Sequence, residues 1–271
     1  MLAASLAGMF AANRQILVTV MQQAKAQDSD DVANSAHQVL ADAATATGEK
    51  SSPNSGEQGT PNQPMSLVEL VHKKSAGTND AIGKEAAKGY SIVFVGLEHP
   101  ISETAQRFEI QIQRLVETFD GPVAIVLNGT TPAIEPNSQL NILVPTGGTP
   151  DARLATEIAL ALTKASTGML TALHVFDPRE DADILRGRAR RQGMSILVDA
   201  RRLGKRSGVP IKAITLTNSS PESAIRRVTR SGDYGLVVIG TSLRQGNTKF
   251  LGPRSAALVR ALRTPVLLIV R

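Results

Sequence analysis

The chain has 271 residues, 42% hydrophobic and only 3% aromatic, with no Trp and no Cys; that length suits about two domains. Lacking Cys, it has neither a disulfide framework nor thiolate chemistry and reads as cytosolic, and the scattered His37, His72, His99 and His174 have no paired-ligand spacing, so no metal site is expected. The formal charge of +6 is uneven: residues 141–271 hold 21 Lys/Arg and 9 Asp/Glu, residues 1–140 hold 9 and 15, so the halves are expected to attract each other and the basic one to suit an acidic partner or anionic lipid.

With so few aromatics, the core must be built from Ala, Val, Leu and Ile, a composition suited to helices packed on both faces of a parallel sheet. In chain order, Leu2–Ala12 reads as a helix, and Asn13–Arg14 interrupts the apolar start, so neither a signal peptide nor a membrane span is expected there. Ile16–Met21 reads as a strand and Val32–Ala46 as a helix. Residues 48–64, rich in Gly, Ser, Pro and Asn, read as a disordered insertion. Met65–Val71 reads as a strand and Asn79–Lys88 as a helix. No strand is predicted before Leu2.

An internal echo follows. Gly89-Tyr-Ser-Ile-Val-Phe-Val-Gly96 matches Asp233-Tyr-Gly-Leu-Val-Val-Ile-Gly240, both Tyr and the closing Gly lying 144 residues apart. Each run is a short strand buried on both faces. A helical stretch and a Pro-opened apolar run come next, Pro122–Leu127 and Pro265–Val270, with the prolines 143 residues apart. The spacing predicts two copies of one α/β unit: residues 1–127, without an opening strand, and residues 141–271, complete, joined by a linker at 128–140.

The second copy reads as five strands. Ile142–Thr146 is followed by a helix over Asp151–Ser166, whose Leu154, Ile158, Ala161 and Leu162 recur at helical spacing. Leu170–Phe176 precedes a basic helix over Asp181–Lys205, and Ile211–Leu216 precedes a helix opened by Pro221. Tyr234–Ile239 and Pro265–Val270 complete the set. Strands alternating with helices predict a doubly wound parallel sheet with ligands at the strands' carboxyl ends.

Two loops there carry candidate binding residues. After the first strand come Thr146, Gly147, Gly148 and Thr149, where the glycines admit a ligand to the backbone and Thr149 is placed to cap the helix. After the fourth come Gly240, Arg244, Gly246, Asn247, Gly252 and Ser255, a loop entering a helix N-terminus, a pattern suited to phosphate. The same glycines also suit a plain turn and a tight helix start. No GxxxxGK[ST], no GxSxG and no HExxH is present, so catalysis is not expected, and His174 reads as a core or second-layer residue. The Arg/Lys-dense helix over 181–206 suits a solvated face, contact with anionic lipid or an acidic partner, or, least well, nucleic acid, because stacking aromatics are nearly absent.

Asn141-Ile-Leu-Val-Pro-Thr-Gly-Gly-Thr-Pro-Asp151, Val237-Val-Ile-Gly240 and Gly252-Pro-Arg-Ser255 resemble the universal stress protein family. More narrowly, Phe119–Val126, Ile142–Pro145 and Gly246–Gly252 resemble the C-terminal cytosolic region of bacterial cation/proton antiporters, which carries tandem domains of this kind. The resemblance implies an α/β fold of two tandem five-stranded doubly wound parallel sheets, the first lacking its opening strand. It also implies a non-catalytic regulatory region of a membrane Na+/H+ or K+/H+ antiporter, at the cytoplasmic face of the inner membrane when attached to the transporter and soluble as this fragment. Its ligand would be ATP, AMP or cyclic di-AMP, with none required, and its partners the antiporter domain of the same chain and a second copy through the last strand. The alternative is a stand-alone adenine-nucleotide-binding stress protein. Three departures alter the family's pocket: Gly147 stands where nucleotide-binding members carry Asp, Leu243 replaces a loop glycine, and Pro253 replaces a hydroxyl residue and removes an N–H.

Overall fold

The computed structural model describes residues 2–14, 18–23, 70–75, 84, 86, 88–97, 110–127, 139–166, 168–178, 186–243 and 251–271. The expected helix at 32–46, the insertion at 48–64 and most of the linker lie outside them. In the first half, helix α1 (Leu2–Arg14) leads to strands β1 (Val18–Gln23), β2 (Leu70–Ser75) and β3 (Val93–Leu97), then helix α2 (Ile110–Thr118) and β4 (Val123–Leu127). In the second half come β5 (Ile142–Pro145), α3 (Pro150–Ser166), β6 (Leu170–Phe176) and α4 (Arg186–Ser207). They are followed by β7 (Ile211–Thr217), α5 (Pro221–Ser231), β8 (Leu236–Thr241), α6 (Pro253–Ala261) and β9 (Val266–Val270).

Local chemistry sets several boundaries. Thr149 Oγ1 accepts from Ala152 N at 3.2 Å and starts α3, and Ser220 Oγ accepts from Ser223 N at 3.3 Å and starts α5 ahead of Pro221. Asn141 aligns three strands at their start. Its side chain accepts from Met169 N at 3.1 Å, and its carbonyl accepts from Gly235 N at 3.0 Å.

The strands of the second half assemble in the order β9-β8-β5-β6-β7, every pair parallel. This is the doubly wound five-stranded arrangement expected from the alternation of strands and helices. The first half differs from expectation. Instead of a separate sheet of its own, β3 and β4 extend the same sheet to seven strands, β3-β4-β9-β8-β5-β6-β7, while β1 and β2 form a detached parallel pair. The junction is antiparallel, with Val123 opposite Val270, Ile125 opposite Leu268 and Leu127 opposite Val266.

The physical cause lies in the two strands themselves. All ten residues of β4 and β9 are buried, so neither strand can face water, and each covers the row of backbone groups the other would leave open. The last strand was expected to pair edge to edge, either with a second copy or with the other half of the chain; β4 pairs with it within the chain.

Side chains alternate across the sheet. Ala124, Val126, Ile142, Val144, Val238 and Ile269 pack under α1 and α3, whereas Val123, Ile125, Val237, Ile239, Leu268 and Val270 pack under α2, α5 and α6. Helix α1 lies against α3 and spans β3, β4 and β1, as α3 spans β8, β9 and β6. Helix α3 also covers β5; no strand occupies the matching place beside β3 among the described residues.

Candidate functional site

The parallel pairing of Ile142 with Leu236 and Leu143 with Val237 puts the carboxyl ends of β5 and β8 side by side. The loop after β5 is held from below. Thr146 is buried, its N–H donates to the Leu173 carbonyl at 2.8 Å, and its carbonyl accepts from His174 Nδ1 at 2.8 Å. A carbonyl can only accept, so Nδ1 carries the hydrogen. His174 meets the Phe176 ring edge-on at 4.7 Å, and both rings lie against Gly193 of α4, where a methyl group would fall on them. His174 thus supports the loop from the second layer, as its place within a strand suggested.

Above this support the two glycines differ. Gly148 has φ +77°, a conformation side chains resist, and a methyl there would come within 2.7 Å of Ile196 Cγ1. Gly147 is exposed, and a methyl there would meet nothing within 4 Å. Gly148 therefore shapes the turn, and Gly147 is the open point.

Gly240, at the end of β8, brings that strand against the first turn of α3. A methyl there would fall on the Asp151 carbonyl. The next residue, Thr241, places its Oγ1 3.1 Å from Ser255 Oγ in the first turn of α6. Gly252 is the N-cap of α6 with no side-chain cap hydrogen bond, and Pro253 follows at the start of the helix. Its carbonyl accepts from Ala256 N at 3.0 Å. The backbone N–H groups of Arg254 and Ser255 therefore belong to a first turn that no side chain caps among the described residues, the kind of end at which an anion is stabilised.

The structure gathers Thr146, Gly147, Gly148, Thr149, Gly240, Gly252 and Ser255 at one end of the sheet. Arg244, Gly246 and Asn247 lie outside the described residues. Thr241 was missed from the sequence, although a hydroxyl directly after Gly240, at the strand end facing a helix start, was the available signal. Asp151 sits in the first turn of α3, where its charge favours the helix dipole. Among the described residues no group of three or more His, Asp or Glu could hold a metal ion, and no helix is long and apolar enough to cross a membrane.

A five-stranded parallel sheet with a glycine turn after its first strand and a helix N-terminus after its fourth defines a doubly wound α/β domain, a class in which ligands bind outside the carboxyl ends of the strands. Residues 140–270 match the family model described as Universal stress protein family. No curated protein matches the chain. Among solved structures, a universal stress protein from Archaeoglobus fulgidus DSM 4304 aligns over 98% of this chain and 91% of its own, at 15% identity and a TM-score of 0.57. A functionally unknown protein from Pseudomonas aeruginosa PAO1 aligns over 97% and 85%, at 14% identity and a TM-score of 0.55. A universal stress family protein from Burkholderia pseudomallei aligns over 47% and 93%, at 28% identity and a TM-score of 0.39.

Proposed function

We propose that the chain is a non-catalytic sensing module of two universal-stress-protein-like copies, working as the cytosolic regulatory region of a membrane cation/proton antiporter. The observation that carries the sensing role is that the carboxyl ends of β5 and β8 lie side by side, the first followed by an open Gly147 and the second joined through Thr241 and Ser255 to a helix whose N-cap is a glycine. These groups offer backbone donors to an anion but no nucleophile paired with a base, which is why binding is favoured over turnover. The tandem reading is supported by the 144-residue echo and by α1 lying over β3 and β4 as α3 lies over β8 and β9. The transporter reading rests on the antiporter-like segments at 119–126, 142–145 and 246–252.

A ligand shifts a transporter only by binding its two states unequally. Isothermal titration of the chain with ATP, AMP and cyclic di-AMP tests the β5–β8 loops, and micromolar binding is expected for at least one. No binding to any would remove the sensing role and leave a module acting through subunit contacts. Removing this region from a full-length antiporter is expected to change transport or its control, and unchanged transport in every condition would refute the attachment. A stand-alone adenine-nucleotide-binding protein is the second reading, and it predicts nucleotide binding with no transporter in the same polypeptide.

A further inference from the structure

We propose that one exposed flank of α4 docks on anionic lipid bilayers, independently of the β5–β8 loops and of any transporter. The orientation of this helix is fixed by its inner face. Gly193 admits the Phe176 ring, Gly204 admits the Val209 carbonyl and Ile211, and Leu197 and Ala200 are buried between them. A helix seated on two glycines cannot roll without losing both contacts, so what points outward is determined.

At 3.6 residues per turn, Arg190, Met194, Val198, Arg201 and Lys205 fall within an arc of roughly 80°, and all five are exposed. Met194 is 50% and Val198 40% exposed, two of the three large hydrophobics exposed among the described residues. They stand one turn apart between cations. The arc itself holds no acid; Asp199, about 100° round the helix from its nearest member, pairs with Arg202 at 3.2 Å.

This combination selects the occupant. A solvated face needs no apolar side chains, and here two of them stand together in one cationic arc. Single-stranded nucleic acid is bound by aromatic stacking, and α4 contains no aromatic residue. An anionic bilayer uses both parts, with cations at the headgroups and methyl groups entering the boundary with the acyl chains. The long Arg and Lys stems can lie along that boundary while their charges stay in water.

Co-sedimentation of the whole chain with vesicles of phosphatidylcholine alone, or mixed with phosphatidylglycerol, tests the surface. The wild-type chain is expected to bind only the mixed vesicles, and the pair Arg190→Glu/Arg201→Glu to bind them more than about tenfold more weakly. The pair Met194→Ser/Val198→Ser is expected to bind more weakly and to be released at lower salt. Because the chain has no Trp, Met194→Trp supplies a single reporter whose emission should shift to the blue on mixed vesicles. Unchanged circular dichroism keeps these variants interpretable. Equal binding to both vesicle types, wild-type binding by the serine pair, an unshifted Trp emission, or binding of RNA in place of vesicles would each overturn the proposal.

Discussion

Two glycines at the end of the sheet look alike in the sequence and do different work. Gly240 has no room for a side chain, because the Asp151 carbonyl occupies the place a methyl would take. Gly147 has room on every side. Gly240→Ala is therefore expected to destabilise the chain by about 1–3 kcal/mol, since backbone cannot swing aside as a side chain can. Gly147→Ala should leave stability within about 0.5 kcal/mol yet weaken any ligand that reaches the loop. Urea denaturation and titration calorimetry separate the two, and a stable Gly240→Ala protein would mean that β8 and α3 do not meet as described. Ser220 offers a smaller case: Ser220→Ala removes the cap on Ser223 N and should cost about 1 kcal/mol. Of the candidate site, the glycine turn and the helix start were legible because they are local patterns. The partners of Thr241 and His174 were not, because each lies well away in sequence, Ser255 and the Thr146 carbonyl.

At the scale of elements, the second half was readable almost to the residue. Leu170–Phe176 has the predicted bounds, and Pro221 opens its helix as its missing N–H favours. The basic helix was placed over Asp181–Lys205; the described helix runs from Arg186 to Ser207, and residues 181–185 lie outside the described residues. Its periodicity named the helix but could not say which side would be held down, since Gly193 and Gly204 look like weak points until Phe176 and Val209 are seen packed on them. Strand β9 shows the same limit. Its run of five apolar residues announces a strand buried on both faces, but not which strand lies beside it. Leu268 is fully buried and stands opposite Ile125, so Leu268→Ala is expected to cost about 2–5 kcal/mol. The loss should appear as faster amide exchange in both β4 and β8, and a change confined to β8 would contradict the antiparallel junction.

Across the whole molecule, that junction makes the two halves one body. Strands β3 and β4 complete a sheet begun by the second half, and α1 rests on α3 from above. The chain is accordingly expected to unfold in a single transition when followed by circular dichroism and by calorimetry, and two resolved transitions would show that the halves hold independently. The amino-acid sequence by itself determined the α/β class, the five strands of the second half and the glycine-rich strand ends, because each depends on periodicity and spacing along a few neighbouring residues. Only the tertiary structure decided that β4 joins β9 antiparallel, that β1 and β2 stand apart from the main sheet, that Gly147 is open while Gly240 is closed, and that Met194 and Val198 face outward. Those outcomes depend on which buried surfaces meet across a hundred or so residues of chain, and contacts of that kind leave no local pattern in the sequence.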